Sequence, residues 1–192
     1  MKWLVLGLCL CPVGAHAARF VIAPGPETEV VFFSHAPLEK FDGKTGEVAG
    51  WLDFQPDDLT APISMQVIVD LVSFSTGLSK RDRHLREDYF ETDSFATAVF
   101  RGGRVSDLSA LALAVGDTVT LDLHGTLDLH GVRRELDCEV MVRRPAAVDL
   151  EVEARFPVLL GDYHIERPRF LLMKVAEEQA VTVRLALTGE KP

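Results

Sequence analysis

The sequence predicts an all-β fold, an antiparallel barrel of about eight strands with one short amphipathic helix lying on it. Three observations carry this. Apolar and polar residues alternate with period two through most of the chain beyond residue 17, and successive strand side chains point to opposite faces. Most of these segments have only one apolar face, which suits a sheet that stacks on another or closes on itself. Several are also long, and long open edges invite pairing with other chains, so closure is favoured over a sandwich. Gly46, Gly50, Gly102, Gly103, Gly125 and Gly131 allow the tight curvature of a small barrel. With 192 residues, 47% hydrophobic and 26% charged, the chain has the balance of one globular domain rather than of a disordered or repetitive one.

The first 17 residues read as a leader. Lys2 supplies a short positive start, Trp3 opens an apolar run that reaches Val13, and Ala15-His16-Ala17 is the small-x-small pattern a signal peptidase needs. The run is too short to cross a bilayer, which takes about 20 apolar residues. Cleavage is expected after Ala17, so the folded domain is residues 18–192. Cys9 and Cys11 follow Leu8 and Leu10 rather than the small residue that bacterial lipidation requires. The mature chain then keeps only Cys138, which excludes an intramolecular disulfide. No later stretch is apolar enough over sufficient length to be a transmembrane helix.

Residues 20–22, 30–33 and 48–54 are less regular strand candidates. Ile63, Met65, Val67, Val69 and Leu71 then form a clear apolar face. Residues 79–90 break the alternation; Leu78, Leu85, Tyr89 and Phe90 recur near helical spacing, with Ser79 as the expected N-cap. Residues 98–105 read as a strand interrupted at Gly102-Gly103, a place for a bulge. The strongest signal is 118–130, where Val119, Leu121, Leu123, Gly125, Leu127 and Leu129 oppose Thr118, Thr120, Asp122, His124, Thr126, Asp128 and His130. A turn at Gly131 leads to 132–142, with Leu136, Cys138, Val140 and Val142 on one face. Val148, Leu150, Val152, Ala154 and Phe156 form the next apolar face. Residues 157–168 read as a structured loop, and Val181, Val183, Leu185 and Leu187 form the last face. Alternation alone leaves open whether such a barrel is filled or hollow.

The net charge of −9 removes the basic footprint that phosphate backbones require, so nucleic acid is not an expected partner. It gives no charge-driven hold on an anionic membrane either. Arg81, Asp82 and His84 admit two readings. They could form a polar site in which Asp orients His and Arg pairs with an anionic head group. Alternatively Asp82 and Arg86 are a helix pair and the other side chains anchor the helix. His124 and His130 share the wet face with Asp122 and Asp128, but alternate residues on one strand are about 7 Å apart, so no metal site is expected. Cys138 lies on the apolar side and reads as a small hydrophobe. No nucleophile elbow, phosphate loop or zinc motif is present, and no cofactor is implied.

The run from Thr76 to Phe90, TGLSKRDRHLREDYF, resembles the signature of the YceI-like family of lipid- or polyisoprenoid-binding periplasmic proteins, whose "TG…RD-x-HLR…FF" stretch precedes a strand ending in Phe, here Phe100. Three further matches fall in the same order. Arg19-Phe20-Val21-Ile22 stands where the family's first strand begins, and His130-Gly131-Val132 resembles its "HGV" turn after a "G-x-L-x-L" strand. Asp162-Tyr163-His164-Ile165 resembles its late "D-F-G-I" loop. The sequence departs from that pattern at Ala96, usually Pro, at His164, usually Gly, and at Leu160, usually polar.

The resemblance implies a lipocalin-like barrel, periplasmic and non-enzymatic, whose tunnel holds a long isoprenoid, quinone or acyl chain. Tunnel-lining residues would then be Phe32, Ile63, Met65, Val67, Val69, Val119, Leu121, Leu123, Leu127, Leu136, Cys138, Val140, Leu150, Val152 and Val183, with Arg81, Asp82 and His84 as head-group candidates. The same residues could instead make a solid core. Two other functions remain at this point: an enzyme acting on a lipid head group through Asp82 and His84, and a structural or stress-related protein with a filled barrel. Whether two chains pair as a homodimer is left open.

Overall fold

The computed structural model describes residues 17–35, 40–167, 169–170 and 173–189. The expected leader lies outside these residues apart from Ala17. The first stave of the barrel is made of β1 (Ala18–Ile22) and β2 (Glu29–His35), and the second of β3 (Lys40–Thr45) and β4 (Val48–Phe54). Then follow β5 (Ser64–Asp70), the helix α1 (Ser79–His84), β6 (Thr97–Ser106), β7 (Thr118–Leu129), β8 (Val132–Ala146) and β9 (Asp149–Leu159). A two-residue hairpin, β10 (Arg169–Phe170) and β11 (Met173–Lys174), precedes the last stave, β12 (Glu178–Gly189). All neighbours pair antiparallel, and β12 bonds to β9 on one side and to β1 and β2 on the other. The result is a closed eight-staved barrel.

The first stave breaks at Pro24-Gly25-Pro26, where two prolines remove ladder donors. Thr28 repairs the gap, since its hydroxyl donates to Ala23 O at 2.7 Å and accepts from Ala186 N–H at 3.2 Å. The second stave breaks at Gly46, and Lys44 there exchanges backbone hydrogen bonds with Ser75. β3 left no trace in the alternation because its inward positions are Phe41, Gly43 and Thr45, only one of them large and apolar. At Gly50 the β4 backbone approaches β5 so closely that a Cβ would stand 2.0 Å from Gln66 O. The expected bulge at Gly102-Gly103 is present as a register shift between β6 and β7. β7 and β8 join through His130-Gly131, with φ of 53° and 72°, the all-positive pair that a twisted two-residue hairpin requires.

Some boundaries differ from the sequence expectation. Ile63 precedes β5, and β9 runs on to Leu159 before a single tight turn over Leu160–Tyr163. Ser79 is the first helical residue, not the N-cap; Leu78 holds that place and no side chain caps it. Residues 85–89 continue α1 as a wider turn, with Phe90 N–H donating to Leu85 O at 2.8 Å.

The two ends of the barrel differ. At the lower end, the loops at 55–63 and 107–117 are tied together by Leu59 N–H to Leu111 O (2.9 Å) and Leu113 N–H to Pro56 O (2.7 Å). They drive Leu59 and Leu113 into the barrel mouth, where both are fully buried. Phe20, Leu52, Phe54, Val119, Leu121, Val142 and Leu150 complete this plug. The upper end is closed differently, by α1 and the turn that follows it.

Candidate functional site

The upper half of the barrel is hollow. The cavity has a volume of about 1030 Å³ and apolar walls. Met65, Val67 and Val69 of β5 and Leu71 just after it line it, with Ala98 and Phe100 of β6 and Leu123, Leu127 and Leu129 of β7. Leu136, Cys138 and Val140 of β8, Val152, Ala154, Phe156 and Val158 of β9, and Val181, Val183 and Leu185 of β12 close the circle with Val30 and Phe32 of β2.

Small residues create this space. Gly102 and Gly125 face each other between β6 and β7, and the Phe100 ring lies across them; a Cβ on Gly125 would sit 2.4 Å from that ring. Gly43 likewise accommodates the ring of Phe32, its cross-strand partner. Phe32 anchors an aromatic group beneath the helix, with ring centroids 5.5 Å from Phe74, 6.3 Å from Phe41 and 6.4 Å from Phe90. Leu85, Tyr89 and Phe90 present the helix's apolar side to the cavity. Leu78, Ser79 and Lys80 both line the cavity and are exposed, so the mouth opens beside the start of α1.

Most of the anticipated lining residues meet here: Phe32, Met65, Val67, Val69, Leu123, Leu127, Leu136, Cys138, Val140, Val152 and Val183. Val119, Leu121 and Leu150 do not. They point inward as their alternation requires, but they lie lower in the barrel, within the plug. Ile63 packs against the core without reaching the cavity.

The polar trio is not brought together as a site. Asp82 is buried and turned back to the preceding loop, where it accepts from Thr76 N–H at 2.7 Å, from the Thr76 hydroxyl and from the Ser75 hydroxyl at 3.1 Å. Burial pushes the Asp82 carboxyl up, but the Thr76 and Ser75 hydrogen bonds and the charge of Arg86 outweigh it and hold the group below its ordinary value. Within hydrogen-bond or ion-pair distance on the helix are Arg83–Glu87 and His84–Asp88, whereas no such contact joins Asp82 to Arg86 among the described residues. His84 donates from Nδ1 to Asp88 at 2.6 Å and is not oriented by Asp82. Arg81 lines the cavity mouth, donates to the Thr76 hydroxyl and carbonyl at 2.9 Å each, and stacks over Phe41 at 4.2 Å. Asp82 and Arg81 thus fasten the helix to the loop before it.

His130 does not share the wet face of β7. Its side chain is largely buried against Phe95 (4.6 Å between centroids), and its Nδ1 donates to Tyr163 O at 3.0 Å, tying the hairpin to the 160–163 turn. His124 is bonded to Ser106 and Asp137. Among the described residues, no three His, Cys, Asp or Glu side chains are grouped as a metal site. Burial, with Asp137 and Asp122 adding to it, pushes the Cys138 thiol up to about 11, so it is a neutral wall group at physiological pH.

The sequence profile of the YceI-like domain matches residues 21–187, nearly the whole barrel. The chain belongs to the YceI-like domain family. Among relatives, it is 28% identical over 131 residues to a UPF0312 protein of Vibrio parahaemolyticus, a match covering 67% of this chain and 65% of that protein. A UPF0312 protein of Shewanella putrefaciens is 30% identical over 130 residues, covering 66% and 63% respectively. The match therefore spans slightly under two thirds of these relatives' length. Two solved YceI-like folds superimpose well. One is a polyisoprenoid binding domain from Saccharophagus degradans, with a TM-score of 0.72 and 20% identity over 91% of this chain and 99% of that one. The other is BcnA of Burkholderia cenocepacia, at 0.70 and 18% over 86% and 98%. At these identities the likeness establishes the fold.

The cavity also takes in residues beyond the expected set. Phe156 was on the recognised apolar face of β9, and Val158 extends that face by one more alternation. Ser34 and Gln179 are polar residues at inward positions, so hydrophobic periodicity passes over them.

Proposed function

We propose that this chain is an exported binding protein that holds one long-chain lipid, an isoprenoid, quinone or acyl chain, in the upper half of its barrel without chemically altering it. One observation carries the reading, the apolar cavity of about 1030 Å³ enclosed by a barrel whose other end is plugged. At about 30 Å³ per carbon-sized atom, such a space takes on the order of thirty carbons. Each methylene moved out of water contributes about 0.8 kcal/mol, so ten buried carbons offset about 8 kcal/mol of ordering and association costs. Dispersed apolar walls suit a flexible hydrocarbon chain better than a compact polar metabolite. The Saccharophagus neighbour, described as a polyisoprenoid binding domain, supports the ligand class.

The engagement of Asp82 by the Thr76 loop, and of His84 by Asp88, supports a binder over a head-group enzyme built on those two residues. The signal-like pattern of residues 1–17 supports export, and the family resemblance supports the periplasm. Native mass spectrometry of the mature protein incubated with geranylgeraniol tests binding; repeated spectra of the empty chain would refute it. Intact mass of the secreted chain should begin at Ala18, and retention of residues 1–17 on a cytoplasmic product would refute export.

A further inference from the structure

The cavity walls hold two buried polar side chains, and their hydrogen bonding is incomplete. The described chain has five buried polar or charged residues: Thr28, Ser34, Thr45, Asp82 and Gln179. Thr28, Thr45 and Asp82 are away from the cavity and fully engaged with neighbouring groups. Ser34 and Gln179 line the cavity. Ser34 is 2% exposed, and among the described residues its hydroxyl has no hydrogen-bond partner. Gln179 is 6% exposed, and its Nε2 donates to Ala176 O at 2.7 Å and Glu178 O at 3.2 Å. Two carbonyl acceptors fix which end of the amide is nitrogen, and among the described residues no group donates to Oε1.

The two residues are neighbours. Phe32 pairs with Val181 and Phe33 with Ala180, where the paired register ends; Ser34 and Gln179 each lie one residue beyond, both on the cavity side, and the register continued by one residue faces them. Facing side chains on such a rung start about 5 Å apart. Both residues line the cavity, where a polar atom with no partner in the wall is open to a ligand's hydrogen bond. This rung supplies one hydroxyl, able to donate or accept, and one amide oxygen that only accepts.

We propose that Ser34 and Gln179 receive an uncharged hydroxyl head group, that of a long-chain alcohol or a quinol, whose O–H donates to Gln179 Oε1 while its oxygen accepts from Ser34. This rests on the lipid-binding reading above and narrows it. A quinone carbonyl or an ether oxygen can only accept, and would leave Gln179 Oε1 unpaired. The cavity's cations, Lys80 and Arg81, stand at the mouth beside α1, so a phosphate or pyrophosphate held at Ser34 and Gln179 themselves would meet no cation from that pair of residues and would carry the desolvation cost of buried charge.

The test uses the mature protein with three probes of one chain length: geranylgeraniol, its methyl ether and its phosphate. The wild type should prefer the alcohol to the ether by about five- to tenfold, the worth of one buried hydrogen bond. Ser34→Ala should weaken the alcohol by about fivefold with an unchanged melting temperature, since the hydroxyl has no partner among the described residues to lose. Gln179→Met, which cannot accept, should bring the alcohol-to-ether ratio close to one. Equal binding of alcohol and ether by the wild type, an unaffected Ser34→Ala protein, or tightest binding of the phosphate would each overturn the assignment while leaving lipid binding intact. Failure of the wild type to bind any of the three would instead overturn the lipid-binding reading itself.

Discussion

Replacing Leu123 by Trp should block the cavity without unfolding the barrel. Leu123 sits on β7 opposite Cys138, with its side chain against the space left by Gly102. An indole adds about six non-hydrogen atoms to the leucine side chain, which at about 30 Å³ each removes about 180 Å³ from a cavity of about 1030 Å³. If each displaced ligand carbon forfeits about 0.8 kcal/mol, the ceiling on the loss is about 5 kcal/mol. Bending of the bound chain recovers part of this, so a loss of about 2–5 kcal/mol is expected, at least a thirtyfold rise in Kd. Stability should change little, because the ring enters a void. Two residues earlier on the same face, Leu121 lies in the plug, and there Leu121→Trp should cost about 1–3 kcal/mol through overpacking. Competition with a fluorescent fatty-chain probe measures the first effect and thermal or urea unfolding the second. Equal loading of the folded Leu123→Trp protein, or equal stability effects at the two positions, would refute the division of the barrel into hollow and filled halves.

Other perturbations test the surroundings of the cavity. Asp82 has a lowered carboxyl pKa in the folded protein, so its contribution to stability is present above about 4 and is lost as pH falls from there through the folded value. Asp82→Asn should destabilise by about 1–3 kcal/mol at neutral pH and flatten the acid limb of a urea-midpoint profile; an unchanged limb would dismiss Asp82 as the fastener. Cys138 stays protonated in the fold up to about 11, whereas the unfolded thiol ionises from 9.0, so its linkage lowers stability as pH rises between these values. A disulfide reagent at pH 8 should leave the native thiol unmodified and react on denaturation, and rapid native labelling would contradict its burial. Gly125→Ala should force the Phe100 ring into the cavity and weaken loading of long chains, alongside strain against Arg101 O, which a new Cβ would meet at 2.5 Å. Unchanged loading and stability would show that the ring does not depend on that space. His130→Ala removes the bond to Tyr163 O and should cost about 1–3 kcal/mol in urea unfolding; a stability within error of wild type would count against the tie.

Much of the architecture was legible because strand periodicity is a local property. Every second residue of a strand faces inward whatever the rest of the chain does, so Leu123, Leu127, Cys138, Val140 and Val152 could be assigned to the interior from their neighbours alone. β3 was hidden because Gly43 and Thr45 fill inward places with residues that carry no apolar signal. Ser34 and Gln179 were hidden for the same reason. Helical spacing pairs Asp82 with Arg86, and the chemistry of the two side chains offers Asp82 as the group that orients His84. The carboxylate instead bonds to Thr76 and Ser75 in the preceding loop, a choice that depends on how that loop folds back.

The amino-acid order by itself determined the fold class, the closed sheet, the inward face of each long strand and the family. Only the tertiary structure decided where the interior is filled and where it is open. Val119 and Leu127 follow the same alternation on the same strand and both belong to the buried core, yet Leu127 borders the cavity and Val119 does not. The difference lies in their height along the barrel, which is set by loops far away in sequence. Periodicity records the direction of a side chain, whereas a cavity depends on what reaches it from the opposite wall.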